Sequence, residues 1–320
     1  MTSSASPKNR TVVRSKNAVR LARAALQTAF VVSEELGTSL AERMFITPRR
    51  HARPEREHRI LASARALTFD VTLRAPRWDH ARRTIKAWRW GFGPSVLLVH
   101  GWEGRGAQLG AFVAPLVDAG LSVVAFDAPG HGDSPDSQLY LTDLADCIAD
   151  VAEAIGPLHA IIAHSFGAAA TLLAHARANV EATRTVMIAP NVIIDDAVAR
   201  FAKLVGLDDP DRVALERRLA RHTGISLDAL SLDNLTSGCE SALLVVHDRD
   251  DREVPFVHGD RLAAAWPNAQ LRTTDNLGHR RILRDPAVID ATVEFIRHGV
   301  PVPTSDLVRE VDRWLDGGDA

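Results

Sequence analysis

Short, dense apolar runs recur through the middle and later parts of the chain. They are SVLLVHG at 95–101, LSVVAFDAPG at 121–130, LHAIIAHS at 158–165, ATRTVMIAP at 182–190 and SALLVVHD at 241–248. Runs of this length without polar alternation suit strands covered on both faces, as in a parallel sheet. Ahead of them, LTFDVTLRAP at 67–76 and TIKAWRWG at 84–91 alternate apolar and polar positions, as two early strands joined by a turn would. AQLRTTDN at 269–276 is more polar and reads as a last strand. Residues 107–119, 141–155, 166–179, 258–266 and 286–297 have helical character and separate the strands. Strand–helix alternation over this length predicts an α/β fold: a mostly parallel sheet with helices on both faces.

The other segments fit around that core. Residues 1–15 are polar and expected to be disordered, and 17–45 read as one or two helices broken or bent near Gly37. TPRRHARPERE at 47–57 concentrates prolines, arginines and a histidine, the composition of a linker. VIIDDAVARFAKLVG and DPDRVALERRLARHTG, within 191–240, read as helices of an insertion, a small helical cap above the carboxyl edge of the sheet. The expected organisation is a basic helical extension over 1–60, the α/β domain over 61–300, and a tail or short helix over 301–320.

IIAHSFGAAA, at 161–170, places Ser165 between a strand and an Ala-rich helix. A small–x–Ser–x–Gly turn between strand and helix exposes a serine hydroxyl on a tight bend, with helix amides available to an anion. This makes Ser165 a candidate nucleophile; a packed or helix-capping serine is the plain alternative. Such a hydroxyl needs a base, and His279 in DNLGHRR follows the last strand and a glycine. His164, His247, His131, His222 and His258 compete less well, since their strand, loop or helix positions point elsewhere. An orienting carboxylate is offered by HDRDDREVP at 247–255, where Asp251 is favoured and Asp250 is its rival. Main-chain N–H groups of Phe166 and of Trp102, in LLVHGWEGRG, are the candidate oxyanion donors.

With HGW at 100–102, FDAPGHGDS at 126–134, AHSFG at 163–167, HDRDDREVP at 247–255 and GH at 278–279 in this order, residues 68–298 resemble an α/β-hydrolase-fold serine hydrolase of the esterase and lipase kind. The resemblance implies that fold, the order nucleophile, acid, histidine, and hence Ser165, Asp251 and His279 as catalytic residues with Trp102 and Phe166 as oxyanion donors. It also implies that DAPGHGDS is a structural loop and that His131 is not the base. Two positions depart from the family pattern: Ala163 stands where the elbow usually has glycine, and Asp248 where glycine commonly follows the strand-ending histidine. The implied reaction is acyl transfer from a small ester-like substrate to water, without a cofactor. Thioesterase, peptidase, acyltransferase and a non-catalytic binding protein on the same fold are the alternatives.

Charge refines the picture in one place. The whole chain carries −2, which favours no nucleic-acid partner, yet residues 1–60 hold 12 Lys or Arg against 5 Asp or Glu. Such an arm could touch a membrane surface, an acidic partner or the protein's own body. Cys147 and Cys239 form no disulfide framework, and no histidine set completes a metal site beside the clustered acids. ARAALQTAFVV at 22–32 is too short to span a bilayer and follows no signal pattern, so a cytoplasmic protein is expected. Oligomeric state is left open.

Overall fold

A computed structural model describes the backbone of residues 7–297 and the side chains from Ala18 onward. The segment expected as a tail, 301–320, lies outside the described residues. Eight strands form one sheet: β1 (Arg65–Leu73), β2 (Ala81–Trp90), β3 (Ser95–Val99), β4 (Ser122–Phe126), β5 (Leu158–His164), β6 (Ala182–Ile188), β7 (Ala242–Asp248) and β8 (Ala269–Thr274). Their spatial order is β1-β2-β4-β3-β5-β6-β7-β8, antiparallel at β1–β2 and β2–β4 and parallel from β4 onward. This is the α/β-hydrolase architecture that the resemblance implies.

The apolar runs are explained by two cores, one on each face. In β3, Val96 and Leu98 join Phe112, Leu116 and Ile162 on one side, while Leu97 and Val99 join Phe126, Ile148 and Leu172 on the other. Each such side chain gains roughly 1.5–3 kcal/mol on burial, so a one-residue slip of register would forfeit both cores at once. β1 and β8 are the two edges of the sheet, and in β8 Gln270 and Arg272 face solvent.

The N-terminal extension departs from expectation in two respects. Its first helix, Pro7–Val32, begins inside the segment expected to be disordered. The break before the second helix, Glu34–Ile46, falls at Ser33 rather than near Gly37. Ser33 is extended (φ −167°), and its Oγ accepts the Leu36 N–H at 3.1 Å, a cap that stabilises by about 1 kcal/mol. Gly37 lies within the second helix, where a Cβ would stand 2.3 Å from the Phe30 ring. It serves close packing of the two helices rather than a bend.

These helices share a core with the insertion. Leu26, Ala41 and Ile46 pack with Val198 and Val205 of helix Ile194–Val205 and with Leu215 and Leu219 of helix Asp209–Thr223. Buried Glu42 accepts bonds from Tyr140 Oη (2.9 Å), Arg218 Nε (2.6 Å) and His222 Nδ1 (2.5 Å), fastening the extension to the insertion. Residues 191–240 therefore divide. The two helices belong to this composite cap, whereas Leu230, Leu232, Leu235 and Cys239 pack into the core below the sheet. Among the described residues no helix is long and apolar enough to cross a membrane.

Residues 48–54 are irregular, but the linker-like segment is anchored at many points. Arg50 donates to the carbonyls of Gly132, Ser134 and Asp136, and Arg53 pairs with Asp133 at 2.8 Å. Helix Glu55–Ala62 follows, so residue 60 falls inside a helix. Part of the basic charge of the first 60 residues is thus matched by the protein's own loops.

Candidate active site

β5 ends at His164, and helix Phe166–Ala178 begins one residue after Ser165. Ser165 itself has φ 54° and ψ −119°, a conformation costing on the order of 1–3 kcal/mol for a residue with a Cβ. Its N–H donates to Ile188 O (3.0 Å), and its carbonyl accepts Asn191 N–H (3.1 Å), so the end of β6 pins the bend. Gly167 lets the helix press onto β3, since a Cβ there would meet His100 O at 2.5 Å. Ala163, in place of the usual glycine, is buried within β5 without distortion of its pairing to Met187.

The structure brings Ser165, His279 and Asp251 into one row. His279 Nε2 lies 3.0 Å from Ser165 Oγ, and His279 Nδ1 lies 2.7 Å from Asp251 Oδ2. Asp251 Oδ1 accepts the N–H groups of Glu253 (2.8 Å) and Val254 (3.0 Å). Burial works to raise this carboxyl, but the bonds from His247 and His279, His279's charge and the Val254 amide hold it well below the usual carboxylate range. An ionised carboxylate only accepts, so Nδ1 of His279 carries a proton, and in the neutral form of the ring Nε2 is the atom left to accept from the serine hydroxyl.

Asp250, the rival acid, faces elsewhere: its Oδ2 accepts Asn276 N–H at 3.0 Å. Asp248 has a role that the sequence did not reveal. Its Oδ2 accepts Thr274 Oγ1 (2.8 Å) and Leu277 N–H (2.9 Å), which shapes the turn leading to His279. His247 is fully buried beneath Asp251, donating from Nε2 to Val254 O at 3.2 Å with Asp251 Oδ2 3.5 Å away. His164 lies ring to ring with His279 (4.7 Å) and donates from Nε2 to the His279 carbonyl at 3.1 Å. Burial, reinforced by the charge of His279, pushes its pKa down to about 3, so it stays neutral.

Trp102 and Phe166 meet edge to face at 5.6 Å beside Ser165. Between them Gly101 is indispensable: a Cβ would sit 2.9 Å from Ser165 Cβ. His100, whose Nδ1 donates to Gly101 O (2.8 Å) and whose Nε2 accepts Ala128 N–H (3.0 Å), ties this loop to the next. His131 donates from Nδ1 to Pro129 O and accepts Glu103 N–H at its Nε2 (3.2 Å). Both imidazoles are buried, which pushes them to about 3 and about 4. His131 thus braces the loop and does not reach the hydroxyl row.

The DAPGHGDS segment winds around Asp127, whose carboxylate accepts Gly106 N–H and Asp133 N–H at 2.8 Å each. Gly132, at φ 46°, passes so close that a Cβ would overlap Asp127 Oδ2. Burial raises the Asp127 pKa from 3.8 to about 6. Such a carboxyl holds its proton more tightly when folded. It therefore leaves stability unchanged below about pH 4 and lowers it, by on the order of 3 kcal/mol, as pH rises through 6. Asp127→Asn cannot ionise and is expected to flatten the fall in Tm between pH 4 and 7, from a lower acid plateau. Thermal melts across that range check it; an undiminished fall would assign the pH dependence to other groups.

A cavity of about 520 Å³ adjoins His279, lined by Asp250, Arg252, Glu253, Leu277, Arg280 and Arg281. Another, of about 450 Å³, lies around Gly238 and Pro267, before β7 and β8, at the sheet edge opposite Ser165. Cys147 and Cys239 are buried and unpaired, and burial raises both thiols. Among the described residues no three His, Cys, Asp or Glu side chains converge in a group that could hold a metal.

Comparison with known proteins agrees with this architecture. Residues 96–292 match the family described as the alpha/beta hydrolase family. A serine hydrolase-like protein of Dictyostelium discoideum is 39% identical over 93 residues, covering 26% of this chain and 26% of that protein. A thermophilic esterase from Thermogutta terrifontis is similar in structure, with a TM-score of 0.54 at 16% identity, covering 72% of this chain and 98% of its own. A monoacylglycerol lipase from Paleococcus ferrophilus gives a TM-score of 0.53 at 19% identity, covering 67% and 98%.

Proposed function

The chain belongs to the alpha/beta hydrolase family, and from that premise we propose that it is a serine hydrolase acting on a small carboxylic ester or related acyl compound. The observation that carries this reading is the hydrogen-bonded row Ser165–His279–Asp251, with an ionised acid at one end and a strained, helix-facing serine at the other.

In the proposed mechanism His279 Nε2 takes the Ser165 proton as Oγ attacks the acyl carbonyl. Asp251 keeps the proton on Nδ1 and stabilises the imidazolium. The tetrahedral oxyanion lies between the main-chain N–H groups of Trp102 and Phe166, which bind it more strongly than the ground-state carbonyl. His279 returns its proton to the leaving oxygen as the acyl-enzyme forms. Water, deprotonated by the same ring, then releases the carboxylic acid and restores Ser165. The flanking Trp102 and Phe166 rings support an apolar acyl moiety.

A p-nitrophenyl ester series of increasing chain length, with fluorophosphonate labelling, tests the proposal. Turnover with an adduct on the peptide containing Ser165 is expected. Labelling without turnover would redirect the search to thioesters, amides or acyl transfer. Folded protein showing neither would favour a binding protein on this fold.

A further inference from the structure

The Trp102 amide can stabilise an oxyanion only if its loop is held in place, and the loop's own bonds, from Gly104 N–H (3.0 Å) and His100 Nδ1 (2.8 Å), both converge on Gly101 O and leave the side beyond Trp102 to other contacts. Glu103, the next residue, has φ 54°, in the left-handed region that residues with a Cβ avoid. From within the domain, His131 accepts its N–H. From outside, a second set of contacts converges on the same few residues. The Glu103 carboxylate accepts Arg49 Nε (2.7 Å), Arg49 Nη2 (3.2 Å), the Arg49 main-chain N–H (3.3 Å) and His51 Nε2 (3.1 Å). Two residues on, Arg105 Nε donates to Glu57 Oε2 at 2.5 Å, with both side chains almost wholly buried. Trp102 is therefore followed closely by two ionic anchors, at 103 and 105. The partners of both come from residues 49–57, outside the stretch that matches the family.

Resting on the acyl-hydrolase reading above, we propose that residues 49–57 are a strap that positions the oxyanion donor. Arg49, His51, Glu57, Glu103 and Arg105 touch no reacting atom; they fix where the Trp102 N–H points. Two physical points favour positioning over bulk stability. Arg49 is largely exposed, so its pair with Glu103 adds little to folding, yet its fork and main-chain amide give the carboxylate a single direction. The Glu57–Arg105 pair is buried, and such pairs often contribute no more to stability than apolar residues of the same volume. What they do supply is geometry. An oxyanion donor is effective only when already in place as charge develops, because reorganising it during reaction costs the stabilisation it offers.

The test uses the full-length chain with Glu103→Ala, with Arg49→Ala/His51→Ala, and with all three changes together. The strap predicts that Glu103→Ala lowers kcat about tenfold to a hundredfold, while KM changes by less than about threefold. Fluorophosphonate labelling of Ser165 should slow by the same factor, with Tm nearly unchanged. The triple variant should be no slower than Glu103→Ala, since all three changes remove one contact. Arg49→Lys, which keeps the charge but not the fork, should fall between wild type and the Arg49→Ala/His51→Ala variant.

Wild-type kcat in Glu103→Ala, a loss that tracks Tm, or additive losses in the triple variant would each overturn the strap. Failure of the acyl-hydrolase reading has a different signature, namely wild-type protein with neither turnover nor labelling at Ser165. In that case amide hydrogen exchange over 101–105 decides: faster exchange in Glu103→Ala retains the strap as a loop-fixing device, and unchanged exchange removes it.

Discussion

Ser165→Ala is expected to lower kcat for ester hydrolysis by on the order of 10⁴–10⁶-fold and to abolish fluorophosphonate labelling, leaving the fold intact. The size follows from the geometry: only Ser165 Oγ stands 3.0 Å from His279 Nε2, and alanine removes the atom that forms the acyl bond. A companion variant separates chemistry from strain. Alanine keeps a Cβ at φ 54°, whereas Ser165→Gly relieves it, so Ser165→Gly should melt above Ser165→Ala while being equally inactive. Labelling that persists in Ser165→Ala would move the nucleophile elsewhere. Equal melting of the two variants would mean that the bend stores no strain.

The second large effect concerns the acid. Asp251→Asn should reduce kcat by on the order of 10³–10⁴-fold, because an amide facing Nδ1 leaves the imidazole in the wrong tautomer and its positive charge uncompensated. Asp250→Asn, which disturbs only a bond to Asn276 N–H, should stay within a few-fold of wild type. The Asp251→Asn loss should be present across pH 5–9, since the native carboxyl is held below the usual carboxylate range and is ionised throughout. Paired kinetic measurements on the two variants settle the matter; comparable losses, or a larger one in Asp250→Asn, would reassign the orienting acid.

What could be read in advance follows from how local each signal is. The central strands were legible because burial on both faces leaves nothing polar in 96–99 or 123–126, and Ser165 was legible because its strand–turn–helix context is contiguous. Asp251 was favoured over Asp250, but local sequence separated them poorly: adjacent residues on a turn differ in direction, which spacing does not record. The arginines at 49–53 read as a solvated linker because their partners lie tens of residues away, and no local pattern announces Glu103 or Asp133. Gly37 misled for the opposite reason. Glycine commonly marks a break, but here it relieves crowding against Phe30, a contact visible only once two helices are folded together.

The cap built from two distant segments has a consequence for how the chain is made. Leu26, Ala41 and Ile46 are covered by Val198, Leu215 and Leu219, and Glu42 waits for Arg218 and His222, some 180 positions later. Translation at about 5–20 residues per second delivers those partners roughly ten to forty seconds after the first helices emerge. Throughout that interval the earliest-made helices present an apolar face and a carboxylate without their final neighbours. The extension cannot complete its core until synthesis has passed residue 222, so its docking belongs to the late part of folding rather than the early part.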